Sequence, residues 1–314
     1  MSGPKVREVE HEITVAASAK AVYQLLVEVE NWPQMFPPSV HVERFEQDGE
    51  HERIRIWATA NGAAKSWTSR RRLAPAEGRI EFRQEVSSPP VAEMGGTWIV
   101  EAEGEACCRV RLLHDYRAVD DDPAALEWIA AAVDRNSRSE LDALKAGAEA
   151  AANGSSPLFS FEDSCQIAGR AQDVFDFVNE ADLWQERLPH VARAHLEDED
   201  GLQLLEMDTR SPDGSVHTTK SVRVCLAPHR VHYKQIQVPA LMTLHTGQWR
   251  FEENADGVLA TSQHTVVVNE ANITAVLGEN ATVEDARAVV RTALGTNSLN
   301  TLAHAKAHIE GSGS

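Results

Sequence analysis

The sequence lacks the cysteine pattern, the apolar runs and the basic excess that mark several common classes of protein. Its four cysteines (Cys107, Cys108, Cys165 and Cys225) have no CxxC spacing, so neither a zinc knuckle nor a redox pair is expected. Residues 1–10 contain no apolar core of signal-peptide length, and no later stretch is long enough to span a membrane. We therefore expect reduced thiols and a cytoplasmic protein that does not insert into a membrane.

Basic residues are also scarce relative to acidic ones. Lys and Arg number 30 against 48 Asp and Glu, which gives a formal net charge of -18 at pH 7. Such a charge opposes nonspecific binding to nucleic acid and to anionic membrane surfaces. With 314 residues and 42% hydrophobic content, the chain suits either one large domain or two ordinary ones, and length alone does not decide.

Motifs for metal binding and for nucleophilic catalysis are missing as well. The chain contains neither HExxH nor GxSxG, so we expect no metal site and no nucleophilic triad. Among its histidines, the candidate acid–base groups are His190, His217, His232 and His245. A histidine that is hydrogen-bonded in the core or exposed to solvent is nevertheless the commoner outcome.

What the sequence does contain is an internal repeat. Four landmarks recur at a separation of 152 positions, namely Val22-Tyr23 with Val174-Phe175, Trp32 with Trp184, Ser69 with Ser221, and Arg71 with Arg223. Trp98 and Trp249 follow at 151, and Asn136-Ser137 recurs as Asn297-Ser298 at 161. The Gly-, Ser- and Pro-containing stretch between the copies is typical of a linker. We predict domains at 1–152 and 158–310, a linker at 153–157 and a flexible tail at 311–314.

Each copy shows the same order of predicted elements. In the first, a strand at 9–15 and short helices at 22–29 and 31–36 precede six alternating segments, at 41–47, 51–59, 65–73, 79–86, 94–102 and 107–119. A long helix then begins after Asp121 or Asp122, with an apolar face of Leu126, Ile129, Ala130, Val133, Ser137, Leu141, Leu144 and Ala148; the second copy ends in a helix at 282–309. The fold class is α+β, with two tandem helix-grip domains. In each, a curved antiparallel sheet wraps around a long C-terminal helix with an interior pocket.

An arginine in the third of the alternating segments is the strongest candidate for chemistry. Alternation puts Trp67, Ser69, Arg71 and Leu73 on one face, which we expect to point inward. A buried arginine there is a permanently charged donor for a carbonyl oxygen or an enolate. The alternative is a surface ladder of arginines.

The second copy presents a conflict at the equivalent position. Val222 and Val224 flank Arg223, and alternation alone predicts that the valines lie on the buried face. The repeat instead places Ser221 and Arg223 inside. We follow the repeat.

Aromatic, methionine and small residues predict an apolar pocket beside each arginine. The candidate substrate-contacting residues are Trp32, Trp67, Phe82, Met94, Trp98 and Ser137 in the first copy, and Trp184, Met242, His245, Trp249 and Ser298 in the second. We expect the small residues Gly95-Gly96-Thr97 and Thr246-Gly247 to leave space in this pocket, while Ser137 and Ser298 are unusually polar for a close-packed seam. Taken singly, each large side chain is also consistent with ordinary core.

Four motifs of the first copy resemble the aromatase/cyclases of bacterial type II polyketide synthases. They are Asn31-Trp32-Pro33-Gln34-Met35-Phe36-Pro37, Ser66-Trp67-Thr68-Ser69-Arg70-Arg71, Met94-Gly95-Gly96-Thr97-Trp98 and Asn136-Ser137-Arg138. The second copy keeps Trp184, Ser221-Val222-Arg223, Trp249 and Asn297-Ser298, so the whole chain resembles the didomain subgroup, whose domains belong to the START and birch-pollen-allergen type.

The resemblance implies a cofactor-independent enzyme that acts on a linear poly-β-ketone tethered to an acyl carrier protein. It further implies a substrate reduced at C9 by a ketoreductase, aldol closure between C7 and C12, and dehydration to an aromatic ring. The family's pocket arginine maps onto Arg71, its serine onto Ser69, and its apolar wall onto Trp32, Met94 and Trp98. By the repeat, Arg223 and Ser221 are the corresponding catalytic candidates. The family's proton-donating tyrosine falls at Ser39, so another residue or a bound water must supply the proton.

Two alternatives stay open at this stage. The fold also serves non-catalytic carriers or chaperones of hydrophobic ligands. The two copies could, in addition, have diverged, with one active and one structural. For docking of the acidic carrier protein, a patch formed by Arg70, Arg72, Arg44 and Arg53 is a candidate.

Overall fold

The computed structural model describes residues 6–60, 63–154, 158–210 and 214–311. The chain divides into two compact units, Met1–Ser156 and Pro157–Ser314. Most of the predicted linker at 153–157 and of the predicted tail at 311–314 lies outside the described residues, so those boundaries stay a prediction.

The first unit is one seven-stranded antiparallel sheet with a long helix at its C-terminal end. Its strands are β1 Arg7–Val15, β2 Ser39–Asp48, β3 His51–Ala60, β4 Ala63–Ala74, β5 Arg79–Gln84, β6 Val91–Ala102 and β7 Cys108–Ala118, in the order β1-β7-β6-β5-β4-β3-β2. Its helices are α1 Ala19–Val27, α2 Trp32–Met35 and α3 Pro123–Ala152, with 3₁₀ turns at Val29–Asn31, Pro75–Glu77 and Val119–Asp121.

The second unit repeats this arrangement. Its strands are β8 Leu158–Ile167, β9 Val191–Glu199, β10 Leu202–Arg210, β11 Val216–Leu226, β12 Arg230–Gln237, β13 Met242–Asn254 and β14 Gly257–Val268, in the order β8-β14-β13-β12-β11-β10-β9. Its helices are α4 Ala171–Asn179, α5 Trp184–Arg187, α6 Ile273–Leu277 and α7 Val283–Gly311, with 3₁₀ turns at Ala181–Leu183 and Glu270–Asn272. The predicted α+β fold class is confirmed.

Helix α3 begins where the sequence predicts. The Asp122 carboxylate accepts hydrogen bonds from the backbone N–H groups of Ala124 and Ala125, both at 3.2 Å, and Pro123 occupies the first position. One row of the helix is buried and consists of Ile129, Val133, Ser137, Leu141, Leu144 and Ala148. This row packs onto one face of the sheet, hereafter the inner face.

The inner face of each sheet carries the core of its unit. In the first unit, Leu112 on β7 and Leu144 on α3 are fully buried in the same cluster. Burial of side chains of this size stabilises the folded state by about 1.5–3 kcal/mol each. In the second unit, Phe251 on β13 and Leu302 on α7 belong to the corresponding cluster. In the described part of the chain, no helix is both long and apolar enough to cross a membrane.

Candidate functional site

A single row of direct cross-strand partners runs over the inner face of each sheet. In the first unit the row consists of Glu52, Arg71, Phe82, Gly96 and His114, on β3 to β7. In the second unit it consists of Gln203, Arg223, Tyr233, Gly247 and His264, on β10 to β14. Directly opposed residues in antiparallel strands share one face of the sheet, so each row forms one continuous line of side chains.

Arg71 lies inside the first unit. It is 3% exposed, and its Nη2 donates a 2.6 Å hydrogen bond to the carbonyl of Leu26. Its guanidinium carbon lies 5.2 Å from the centre of the Trp32 ring, a cation–π contact. Burial lowers the pKa of Arg71 to about 10, which leaves the group charged at neutral pH. A surface arginine ladder is therefore wrong for this position.

A buried carboxylate neutralises part of this charge. Glu52 is 3% exposed, and its Oε1 lies 3.0 Å from Nη1 of Arg71. Its second oxygen accepts a 2.7 Å hydrogen bond from Nε of Arg44. The first unit thus holds an arginine–glutamate–arginine group, in which the buried carboxylate of Glu52 contacts the buried Arg71 and the half-buried Arg44.

Arg223 occupies the same place in the second unit without the carboxylate. It is 3% exposed, donates a 2.6 Å hydrogen bond to the carbonyl of Val178, and lies 5.3 Å from the ring centre of Trp184. Within the described residues it has no ion pair, and its Nη1 is buried without a hydrogen-bond partner. Gln203 stands where the first unit has Glu52, and burial lowers the pKa of Arg223.

The conflict between alternation and repeat is resolved because both sheet faces are buried here. Val222 and Val224 are each 1% exposed, and Arg223 between them is equally inaccessible. Of the two predicted catalytic serines, Ser69 is buried beside Arg71, whereas Ser221 is half-buried. Their chemical roles stay predictions.

Aromatic rings form a wall beside Arg71. Trp32 meets Phe36 edge to face at 5.3 Å, and Phe36 stacks on Trp98 at 6.3 Å. Trp67 and Trp32 also pack together against the small cluster that contains Ile54. The tryptophans of the predicted wall therefore pack in one region with Phe36, and their contact with a substrate stays a prediction.

In the second unit, two tryptophans share one cluster. Trp184 and Trp249 are both buried there, and the Trp184 indole donates a 3.2 Å hydrogen bond to the carbonyl of Phe177. The methionines lie elsewhere: Met94 packs against the cluster of Tyr116 and Met242 against that of Val266. Their predicted grouping with the tryptophans is not observed.

The glycines do not leave the open space that we expected. A Cβ atom at Gly96 would lie 2.6 Å from Cζ of Phe82, and one at Gly247 would lie 2.6 Å from the Tyr233 hydroxyl oxygen. A Cβ at Gly95 would lie 2.6 Å from the guanidinium carbon of Arg83. The glycines instead let a side chain of the neighbouring strand lie flat across the sheet.

At the β7 end of the row in the first unit, a histidine lies near a serine of helix α3. Nδ1 of His114 lies 3.4 Å from Oγ of Ser137, and the ring of Phe82 meets His114 edge to face at 5.5 Å. Burial lowers the pKa of His114 to about 4, so the imidazole is neutral at neutral pH. Glu140, half-buried one turn further along α3, has its pKa raised to about 7 by burial.

The second unit has a connected polar cluster at the same place. The Tyr233 hydroxyl lies 2.8 Å from Nδ1 of His264 and 3.3 Å from Nε2 of His245. Nε2 of His264 lies 2.8 Å from Oγ of Ser298 and 3.1 Å from Oγ of Ser262. All five residues are at most 9% exposed. His245 and Ser298 were predicted from the sequence as substrate contacts, and the structure places both in this cluster.

The first unit also has an open cleft between β1 and α3. Its volume is about 410 Å³, and its lining consists of Arg7, Val9, Glu10, His11, Tyr116, Ala130, Asp134 and Arg138. The Tyr116 hydroxyl is buried there without a hydrogen-bond partner among the described residues. In the second unit, Arg291 lies 4.3 Å from the Phe161 ring centre and pairs with Asp163 at 2.7 Å.

The arginines suggested as a docking patch are already paired with glutamates. Arg53 and Arg70 lie 3.0 and 3.8 Å from Glu85. Arg72 lies 3.6 Å from Glu50, and Arg44 is engaged with Glu52. Each of the four candidate arginines therefore has an acidic partner, and their role in docking stays a prediction.

The candidate site includes residues that the sequence interpretation did not single out, namely Glu52, His114, Gln203, Tyr233 and His264. A usable signal was present: His114 and His264 are 150 positions apart, and Glu52 and Gln203 are 151 apart, close to the separation of the two arginines. What was missing was the strand register, which alone shows that these residues lie in line with Arg71 and Arg223.

Comparison with known proteins agrees with this architecture. Residues 6–149 and 159–310 each match the family described as polyketide cyclase/dehydrase and lipid transport. The chain is 52% identical over 297 residues to the granaticin polyketide synthase bifunctional cyclase/dehydratase of Streptomyces virginiae, covering 93% of this chain and 96% of that protein. It is 42% identical over 318 residues to the actinorhodin counterpart of Streptomyces coelicolor, covering 98% of both.

Two solved structures match over the whole length. The di-domain ARO/CYC BexL from the BE-7585A biosynthetic pathway has a TM-score of 0.89 and 59% identity, covering 97% of this chain and 99% of that one. The di-domain ARO/CYC StfQ from the steffimycin pathway has a TM-score of 0.87 and 35% identity, with the same coverage. The chain belongs to the polyketide cyclase/dehydrase and lipid transport family. Within that family it is a two-unit enzyme of the cyclase/dehydratase class, which confirms the resemblance seen in the sequence.

Proposed function

We propose that this chain closes and aromatises the first ring of a linear poly-β-ketone held on an acyl carrier protein. The substrate is reduced at C9 by a ketoreductase, and the new bond joins C7 to C12. The observation that carries this proposal is the buried, charged arginine on the inner face of each unit, Arg71 and Arg223, beside a tryptophan. The cyclase/dehydratase names of the relatives, at 42 to 52% identity, support the same reaction class.

Ring closure by an aldol reaction needs a folded polyketide chain and a group that stabilises negative charge. Confinement of the polyketide brings one methylene carbon against one carbonyl carbon, so that the reaction does not depend on a search among many conformers. As the carbon–carbon bond forms, the carbonyl oxygen takes on negative charge, which a fixed guanidinium in a dry site stabilises. Arg71 and Arg223 are held for this role by the carbonyls of Leu26 and Val178.

The remaining residues of the site bind and orient the chain in this proposal. The aromatic surfaces of Trp32, Trp98, Trp184 and Trp249 suit the planar ring that forms, with Trp67, Phe82, Met94 and Met242 as further apolar contacts. Ser69 and Ser221 lie next but one to the arginines on the same strands, where a hydroxyl can donate to a neighbouring carbonyl oxygen. Aldol addition and dehydration are redox-neutral, so the reaction as proposed requires no cofactor.

The proton donor of the first unit must be another group than the family's tyrosine. Ser39 occupies that position and is 6% exposed. His114 and Glu140 are the candidates on the inner side, because burial brings the pKa of the Glu140 carboxyl to about 7, where it can both give and take a proton near neutral pH.

Reconstitution with a minimal synthase, a ketoreductase and a carrier protein tests the proposal. We expect a dehydrated, first-ring aromatic product only when this protein is present. Arg71→Ala and Arg223→Ala should each lower the yield, by about 10²-fold for an arginine that stabilises the oxyanion. Arg111→Ala, which removes an outer-face arginine paired with Glu10, is the matched control. An unchanged product from both inner-face variants would point to a carrier of hydrophobic ligands.

A further inference from the structure

The two units differ in polarity toward the β7 and β14 ends of their rows. The equivalent strand positions hold Phe82 in the first unit and Tyr233 in the second, because each is paired with both the row arginine and the row glycine. Two residues before the row glycine, the first unit has Met94 and the second unit has His245. The histidine and the helix serine occur in both units, so only the second unit connects them to a tyrosine and a second histidine.

Gly247 explains how these groups meet. Because it has no Cβ, the Tyr233 ring lies across it, and the hydroxyl reaches the histidines. Tyr233 is also the direct cross-strand partner of Arg223. The hydroxyl group therefore belongs to the same inner face as the arginine proposed to hold the substrate oxygen.

The two facing imidazole nitrogens constrain each other's protonation. Nε2 of His245 and Nδ1 of His264 lie 3.0 Å apart, so only one hydrogen fits between them. When His264 donates its Nε2–H to Ser298, its Nδ1 is a bare acceptor for the Tyr233 hydroxyl, and a hydrogen on Nε2 of His245 can be donated to the Tyr233 oxygen. Nδ1 of His245 is then an unprotonated base, and it is buried with no hydrogen-bond partner among the described residues.

Burial keeps every member of this cluster neutral. It raises the pKa of Tyr233 far above its usual range and lowers the pKa of His264 to about 4. The pKa of His245 is also well below its usual value, because of burial and the neighbouring His264. A site of this kind favours a proton transfer that leaves no net charge behind.

We propose that His245 and Tyr233 form an acid–base relay, hereafter the Tyr233 relay, that dehydrates the cyclised intermediate in the second unit. Nδ1 of His245 takes a proton from the carbon next to the ketone, and its Nε2–H passes to the Tyr233 oxygen. The Tyr233 O–H proton goes to the leaving hydroxyl, which departs as water while the carbon–carbon double bond forms. His245 ends as the other neutral tautomer and Tyr233 is unchanged, so atoms and charge balance.

In this relay His264 and Ser298 are positioning residues, since they set the tautomer of His245. The first unit cannot run it, because Phe82 has no hydroxyl and Met94 has no exchangeable proton. The inference rests on the proposed cyclisation and dehydration, and it adds the residues and the unit for the second step.

The test exchanges the relay residues for those of the first unit. Tyr233→Phe and His245→Met are assayed in the full chain with the reconstituted synthase, and the readout is the ratio of dehydrated to hydroxylated cyclic product. We expect that ratio to fall by about 10²-fold or more, with ring closure retained. Tyr116→Phe, which removes another buried hydroxyl, is the matched control and should leave the ratio unchanged.

Ser298→Ala separates a positioning role from a structural one. We expect it to lower the ratio less than Tyr233→Phe and to shift the pH dependence of dehydration, because Nε2 of His264 then keeps only its longer contact, to Ser262. Dehydration at the wild-type ratio in both Tyr233→Phe and His245→Met would overturn the relay. An equal loss of ring closure and dehydration, accompanied by a lower melting temperature, would also overturn it. If wild-type protein forms no cyclic product at all, the proposed function itself fails.

Discussion

The two units hold the same arginine in two different electrostatic settings. Arg71 and Arg223 bond to equivalent carbonyls at 2.6 Å and lie at nearly equal distances from a tryptophan ring. Only the first has a carboxylate, Glu52, where the second has Gln203. The pose of the arginine therefore depends on the carbonyl and the indole, and the carboxylate is a separate property of the first unit.

The helix side of the site differs in a complementary way. Three residues after its helix serine, the first unit has the ionisable carboxyl of Glu140 on α3. At the equivalent position, the second unit has the buried hydroxyl of Thr301 on α7. Conversely, Tyr233 and His245 make the sheet side of the second unit polar. In the proposed mechanism, the first unit's carboxyl with a raised pKa lies on the helix, whereas the relay of the second unit lies on the sheet.

The largest expected effect concerns the carboxylate between the two arginines. Glu52→Gln copies the second unit but leaves Arg44 and Arg71 without their shared counter-charge, and loss of one partner of a buried ion pair costs about 3–5 kcal/mol. We expect a loss of this size in the free energy of unfolding, measured by urea denaturation of the full chain.

A surface substitution provides the control for this prediction. Glu46→Gln removes an exposed partner of Arg53 and should leave the denaturation curve in place. If Glu52→Gln also left the denaturation curve in place, the two arginines would not need the carboxylate. The electrostatic difference between the units would then not contribute to stability.

The next effect concerns the glycines under the two rings. Gly96→Ala and Gly247→Ala each place a Cβ about 2 Å from a backbone carbonyl and 2.6 Å from a ring or hydroxyl atom, and overpacking of this kind costs about 1–3 kcal/mol. We expect similar losses of stability in both units, measured by thermal melting. Only Gly247→Ala should also lower the ratio of dehydrated to hydroxylated product, because only it displaces the Tyr233 hydroxyl. Equal catalytic effects of the two variants would contradict the assignment of dehydration to the second unit.

Much of the fold could be predicted from the sequence because its periodicities are strong. The alternation along β4 placed Ser69 and Arg71 inside, and the 3.6-residue pattern on α3 identified the buried row that includes Ser137. Both patterns are local, so they survive without knowledge of which strands pair. The internal repeat then extended the same interpretation to Arg223, where alternation alone favoured the wrong face.

The rest of the site depends on contacts between strands, which a local pattern does not contain. Glu52 reaches Arg71 across a register that the sequence does not state, and Tyr233 reaches His264 only because its ring crosses Gly247. The expectation that glycine leaves space failed for the same reason. A missing Cβ in a packed sheet is filled by a neighbour, since interiors are close-packed.

A smaller effect is expected in the pH dependence of stability. The pKa of Glu140 is raised from 4.5 to about 7 in the folded protein, so the folded state binds more protons than the unfolded state between these values. Stability from this group is therefore present below about pH 4.5 and is lost as the pH rises to about 7. We expect a contribution of about 1 kcal/mol, since the half-buried carboxyl is partly screened.

Comparison with Glu140→Gln isolates this contribution, because the buried histidines titrate in both proteins. The difference in unfolding free energy between wild type and variant should change between pH 4.5 and 7 and be constant above it. Asp142→Asn, which removes an exposed carboxyl from the same helix, is the control. A difference independent of pH would show that the pKa of Glu140 is not raised in the folded protein.

The smallest effect concerns the position in the second unit that corresponds to the cleft of the first unit. Arg291 of the second unit is 41% exposed at its side chain and lies over Phe161, at the place where the first unit has Ala130 and the cleft. Because the pair with Asp163 is partly solvated, Arg291→Ala should cost less than about 1 kcal/mol, measured by urea denaturation. A much larger loss would mean that Arg291 supports the core of the second unit. The packing of β1 against α3 beside the cleft of the first unit would then be stabilised by other residues.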